Sequence, residues 1–251
     1  DMWNDWNKSR EDGDISMKTI YYWAQMFNKD EYDKIKIKTC DTLIQKTLEG
    51  ETDWDIAMLA VHLFGNTNRC VNIGKNLWFS FHKHRWRLSD SGADLRIAIS
   101  KSLSNLYIKK EKEIMSILQD CGDLTQAEQD KYMKKAVAYN HLARKMRDTP
   151  AKNRVMYECR CLTYDRKFLN KLDINPYLIS FKNGVYDFNE GKFRDGLPED
   201  YQSLCTNTNY MEIDYENKEH QQTIKEIHTF FAQLFPNEQL RKYVWQHAAS
   251  A

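Results

Sequence analysis

The sequence predicts an α+β fold, predominantly helical, with two small antiparallel β elements at about residues 69–88 and 177–194. Three observations carry that reading. Of 251 residues only 9 are Gly and 4 are Pro while 29% are charged, a balance that favours helices over loop-rich β architecture. The run Leu77-Trp-Phe-Ser-Phe-His-Lys-His-Arg-Trp-Arg87 alternates aromatic with polar residues, a strand period with a tight reversal inside it. Tyr177-Leu-Ile-Ser-Phe-Lys182 is strand-like too, and Asn183-Gly184 after it is the strongest short hairpin signal.

Taken in order, Asp14-Ile-Ser16 can cap a helix with Ile20, Trp23, Ala24 and Phe27 on one face. A second helical stretch runs from Asp30 to Leu48 and stops at Glu49-Gly50. Thr52 with Asp55 caps a third, Trp54–Phe64, closed by Gly65. Strands follow at Arg69–Ile73, Leu77–Phe81 and Trp86–Leu88, with Gly74-Lys-Asn76 between the first two. Asp90-Ser-Gly-Ala opens a long helix carrying Leu95, Ile99, Leu103, Leu106, Ile114 and Leu118. Helix resumes at Thr125 and runs to about Met146; Pro150 breaks the pattern, and another helix is expected over Asn153–Leu169. The Asn183-Gly184 turn returns Val185–Phe188, and Asn189-Glu-Gly191 turns again into Lys192-Phe-Arg194. The last helices begin at about Glu219 and, with Pro236 near its start, at Glu238. The final one is still amphipathic at Ala251, so the sequence reads as a piece of a longer polypeptide.

A formal net charge of +1 hides an asymmetry. Residues 1–55 carry about −5, 75–110 about +6, 131–171 about +9 and 187–240 about −7. Either the basic centre meets a polyanion or the acidic ends fold against it. Aromatics interleaved with cations suit a nucleic-acid strand, because bases stack on rings while phosphates pair with cations. The candidate DNA contacts are therefore Lys75, Lys83, Arg85, Trp86, Arg87, Arg96 and Lys101, with a second group, Arg144, Lys145, Arg147, Lys152 and Arg154, around Pro150. The plainer reading of the first run is a hairpin whose tryptophans are half core and whose charges are solvated.

Other chemistry finds little support. The six cysteines are scattered, and Cys159-x-Cys161 lacks the second pair a zinc site needs, which points to reduced thiols and an intracellular protein. His82-x-His84 reads as part of the basic turn, and no metal is expected. No run of about eighteen apolar residues occurs, so no membrane span is expected. Neither a G-x-x-x-x-G-K-[ST] loop nor G-x-G-x-x-G, H-E-x-x-H or G-x-S-x-G is present. Asp53 and Asp55 suit a helix start, and Asp173 and Asp187 suit turns. No catalytic constellation assembles, and a nuclease or nucleotidyltransferase would need one.

These residues together resemble the middle region of viral primase-helicases of the poxvirus and giant-virus type, which are related to satellite-phage replication proteins. The resemblance lies in Leu77–Trp86 with Asp90 and the long basic helix, in Leu172-Asp173, Asn175-Pro176 and Phe181-Lys-Asn-Gly-Val-Tyr-Asp187, and in Gly191–Arg194 and Pro198–Tyr201. Trp3-Asn-Asp-Trp-Asn-Lys-Ser-Arg10 and Trp23 are similar to the end of the small domain that follows the primase. The resemblance implies three parts: the end of that linker domain (1–28), a helicase-associated middle domain (29–215), and the first helices of a superfamily 3 helicase module (216–251). It implies a replication protein in which this region binds DNA and supports hexamer assembly, ahead of an ATPase that uses ATP and Mg2+. It transfers no catalytic residue and no cofactor to this chain, and it places the parent at the intracellular site of viral DNA replication. The alternative is a pure protein-interaction collar, with acidic and basic surfaces meeting across subunits.

Overall fold

The computed structural model describes residues 23–24, 27–120 and 124–250. The tryptophan-rich stretch Trp3–Arg10 and most of the first expected helix lie outside the described residues. Helix α1 (Lys29–Gly50) is capped by the Asn28 side chain, which accepts from the Glu31 amide. Helix α2 (Asp53–Phe64) starts at Thr52, whose hydroxyl accepts from the Asp55 amide, with Asp53 and Asp55 in its first turn. Sheet A then forms as β1 (Asn68–Asn72), β2 (Leu77–His82) and β3 (Arg85–Asp90), antiparallel in that order.

The long helix opens at Gly92 as α3 (Ala93–Ala98), passes through a π turn (Ile99–Leu103) and continues as α4 (Ser104–Asp120). The buried positions Leu95, Ile99, Leu103 and Tyr107 explain the π turn. They recur every four residues, and each such step drifts about 40° on a 3.6-residue helix. A wider turn absorbs that drift and keeps all four in the core. Helix α5 (Gln126–Lys145) has the reciprocal Thr125–Glu128 capping box. Helix α6 (Thr149–Leu162) is capped by Asp148. The expected break between the two helices is present, but α6 starts at Thr149, earlier than the expected Asn153, and takes Pro150 into its first turn, where the missing N–H would have had no helical partner anyway. The helix also ends at Leu162, short of the expected Leu169, and Phe168–Lys171 forms a separate 3-10 turn.

Two cores result. The large one joins α2, the α3–α4 helix, α5 and α6 through Ile56, Leu59, Leu103, Leu142, Met146 and Val155, all fully buried. The small one lies across sheet A, where Trp86, Val71 and Phe168 are buried and Phe79, Phe81 and Tyr201 pack against them. Sheet A is thus covered on both faces: Trp78 joins the helical core and Trp86 joins the small one.

Sheet B is β4 (Leu178–Phe181), β5 (Gly184–Asp187) and β6 (Lys192–Arg194), also antiparallel. Its hairpin corrects the expected turn. Phe181 pairs with Gly184, so the loop residues are Lys182 and Asn183, and neither has a positive φ. Asn183 instead clasps the backbone of Tyr210, accepting from its N–H (2.8 Å) and donating to its carbonyl (2.9 Å). Gly184 is small for a packing reason: a Cβ there would lie 2.7 Å from the Arg194 carbonyl oxygen and against the Phe193 ring. Finally, α7 (Lys218–Leu234) and α8 (Glu238–Ser250) pair through Phe231 and Trp245, with ring centroids 4.3 Å apart. Asn237, after Pro236, caps α8 by accepting from the Gln239 and Leu240 amides.

Candidate nucleic-acid interface

The two basic segments, about fifty residues apart in sequence, meet at one corner of the helical core. The π turn is the meeting point. On one side the Ser104 hydroxyl donates to the Ala143 carbonyl (2.9 Å), which sets the end of α5 beside it. On the other, the Lys152 ammonium donates to the Ser100 hydroxyl (2.9 Å) and the Arg96 guanidinium to the Asn153 side-chain oxygen Oδ1 (2.7 Å), which docks the start of α6. Arg96, Lys101, Arg144, Lys145, Arg147, Lys152 and Arg154 therefore all come from elements that converge here. Lys101, Arg144 and Arg147 are exposed, with no side-chain partner among the described residues. Ser100 and Asn153 are the site residues that sequence reasoning missed. The four-residue spacing 95-99-103-107 was the signal for the π turn that presents Ser100.

Two of the cations are paired with an acid. Lys145 Nζ lies 3.2 Å from one Asp53 carboxylate oxygen and Arg154 Nε 2.7 Å from the other. Lys145 also donates to the Glu51 carbonyl (2.9 Å). Partial burial pushes the Asp53 carboxyl up, but hydrogen bonds from Arg154 and Lys145 outweigh it and hold the group below the usual carboxylate range. A second contact of the same kind joins Lys110 to Asp41 at 3.4 Å. The acidic N-terminal segment thus does fold against the basic centre, in part. The acidic residues of sheet B are used locally: Arg194 binds Asp187 (3.0 Å) and Asp200 (2.8 Å), and Lys192 binds Glu190.

The Leu77–Arg87 hairpin behaves differently. Strand register sets Arg85 opposite His82 and Arg87 opposite Ser80, while Trp86 faces Phe81 on the other side of the sheet. Trp86 is 1% exposed; its indole N–H donates to the Pro198 carbonyl (2.8 Å), and its ring packs edge-on against Phe168. The expectation that Trp86 offers a ring to a base is corrected: period-two alternation sends it to the small core. His84 is tied down as well, its Nδ1 accepting from the Gly196 amide at 3.1 Å. Lys83, Arg85 and Arg87 have no side-chain partner among the described residues, yet the structure does not join their turn to the helical corner. The turn closes the start of β3, and α3 leaves from its far end, roughly 17 Å along the strand. Lys75 is exposed on the β1–β2 turn, beside the Arg160 bond to Ile73 at the other end of α6.

The remaining polar clusters hold the fold. Asp173 accepts from the Ser203 and Leu204 amides and from the Ser203 hydroxyl. Asp187 accepts from the Asn189 and Glu190 amides. Cys159 is buried and its thiol is pushed up to about 12 by desolvation, whereas Cys161 is exposed. Among the described residues no three His, Cys, Asp or Glu side chains are grouped to hold a metal, and no helix is long and apolar enough to cross a membrane.

A family model described as D5 N terminal like matches residues 57–233. A proposed helicase, L207/L206, of Acanthamoeba polyphaga mimivirus is 33% identical over 241 residues, covering 95% of this chain and 24% of that protein. A proposed helicase, 121R, of Invertebrate iridescent virus 3 is 27% identical over 249 residues, covering 91% of this chain and 25% of that protein. A proposed primase, C962R, of African swine fever virus (isolate Tick/Malawi/Lil 20-1/1983) is 24% identical over 204 residues, covering 73% of this chain and 20% of that protein. The chain spans about a quarter of the length of the viral relatives it matches.

Proposed function

This chain belongs to the D5 N-terminal-like family, and from that premise we propose that it is the DNA-contacting part of a viral replication primase-helicase. The observation that carries the reading is the corner where Arg96, Lys101, Arg144, Arg147 and Lys152 converge around the π turn. Cations on rigid helices, with the Asn153 amide at the corner already bonded to Arg96, suit the phosphate backbone. DNA is then held without sequence preference. An ATPase module elsewhere in the parent protein supplies ATP hydrolysis with Mg2+ and assembles as a hexamer, at the intracellular site where viral DNA is replicated. This chain contributes grip and orientation, not catalysis.

The second reading is an assembly collar. Its support is that Asp53 and Asp41 already neutralise basic residues, and that Ile227, Phe230, Leu240 and Tyr243 of the α7–α8 pair are exposed. Replacing Lys101, Arg144 and Arg147 together by Ala separates the two. The DNA reading expects an unchanged melting temperature and at least tenfold weaker binding of a labelled single-stranded oligonucleotide at low salt. The collar reading expects a changed oligomer mass with DNA affinity untouched.

A further inference from the structure

The Asp53 carboxylate sits where the starts of α2 and α6 meet the end of α5, and both of its cations, Lys145 and Arg154, belong to the seven that come from the elements converging at the basic corner. We propose that Asp53 is a built-in competitor for the DNA backbone: it holds Arg154 in the free protein and gives it up to a phosphate when a strand docks. This rests on the DNA reading above and adds a regulatory contact to it.

Four observations support the exchange. First, Asp53 is the single acid in contact with the seven cations of the corner, among the described residues. Asp148 and Asp55, its acidic neighbours, are spent on helix caps, the former accepting from the Ala151 amide and the latter bonded to Thr52. Second, the two cations are held unequally. The Lys145 side chain is 17% exposed and also bound to the Glu51 carbonyl, whereas the Arg154 side chain is 59% exposed and touches Asp53 through Nε alone. Lys145 is the anchor and Arg154 the arm that swings. Third, a carboxylate and a phosphodiester present guanidinium with the same pair of anionic oxygens, so one replaces the other without new geometry. An ion pair with one exposed partner is weak enough to be exchanged. Fourth, Asp53 lies in the first turn of α2, where the helix N-terminus stabilises its charge after Arg154 has left.

The test is a double-mutant cycle on the 251-residue chain, read by anisotropy of a labelled single-stranded oligonucleotide. Asp53→Asn is expected to tighten binding about three- to tenfold, because the competitor is gone while the shape is kept. Arg154→Ala is expected to cost more affinity in the Asp53→Asn background than in the wild type. Unchanged affinity in a cooperatively melting Asp53→Asn variant overturns the proposal, and so does an Arg154→Ala penalty that is equal in the two backgrounds. Should Asp53→Asn fail to fold, the Arg154 Nε resonance of the wild-type chain decides. It shifts on titration with the oligonucleotide if the arm changes partner, and stays in place at saturation if it does not. The DNA reading fails separately, when the Lys101, Arg144 and Arg147 triple variant binds like wild type; the competitor fails alone when that variant is impaired and Asp53→Asn is silent.

Discussion

The two β elements are both three-stranded antiparallel meanders, yet they use their aromatic residues in opposite ways. Sheet A is covered on both faces, and its tryptophans are spent one per face: Trp78 at 0% exposure in the helical core, Trp86 at 1% in the small core. Sheet B buries one face, through Leu178, Ser180, Val185 and Asp187. Its other face keeps Phe181, Tyr186 and Phe193 half-exposed beneath Tyr210, which stacks on Phe193 at 4.5 Å. The difference teaches that an aromatic-rich strand reports how many of its faces are covered before it reports anything bound. The cations follow a separate logic. They gather on helices, at a corner that no single segment of sequence defines.

Truncation should break this comparison most sharply at sheet A. Trp86→Ala removes a fully buried ring and its hydrogen bond to Pro198, and is expected to cost about 3–5 kcal/mol in urea unfolding. A loss below about 1 kcal/mol would mean that the second face of sheet A is not a core. In sheet B the largest effect is expected at the tight hairpin. Gly184→Ala drives a methyl into the Arg194 carbonyl and the Phe193 ring, for about 1–3 kcal/mol by the same measurement. Tyr210→Ala strips the half-exposed lid and should cost about 1 kcal/mol. A value as large as that of Trp86→Ala would show that the open face of sheet B is as closed as sheet A. The smallest effect is one of pH. Burial pushes the Asp187 carboxyl up, but hydrogen bonds from Arg194 and from the Glu190 and Asn189 amides, with the charge of Arg194, together outweigh it and hold it below the usual range. Its contribution is therefore complete above the ordinary carboxylate pKa, near 4, and is lost as pH falls through the depressed folded value. Asp187→Asn should flatten the acid limb of the melting-temperature profile below about pH 4 and leave its slope near neutrality unchanged.

Much of this arrangement is legible in the residues. The helix starts at Thr52 and Thr125 follow from side chains that cap, and both meanders follow from alternation broken by turn residues. What escaped is what depends on partners distant in sequence. Asn183-Gly184 reads as a self-contained turn, but Asn183 is committed to Tyr210 and Gly184 to Phe193, and neither partner is visible locally. Pro150 reads as a break, and the helix does stop before it, but the Asp148 cap starts the next helix at Thr149 and not at Asn153. For the interface, charge density marked both basic segments. Parity along β3 already separates Trp86 from Arg85 and Arg87, so the idea of one ring between two cations was open to refutation from the sequence. The pairing of Asp53 with Lys145 and Arg154 was not, because a helix-start aspartate needs no tertiary partner.

The DNA reading proposed above gives the phosphate backbone to the helical corner and not to the hairpin turn. The measurement is the slope of log Kd against log salt concentration for a single-stranded oligonucleotide. It compares the wild-type chain with two triple-alanine variants, one at Lys101, Arg144 and Arg147 and one at Lys83, Arg85 and Arg87. The account predicts that the corner variant loses roughly 2 units of slope, about 0.7 for each phosphate contact, while the turn variant keeps the wild-type slope. A folded corner variant with the wild-type slope, or a turn variant that alone flattens it, would contradict the claim.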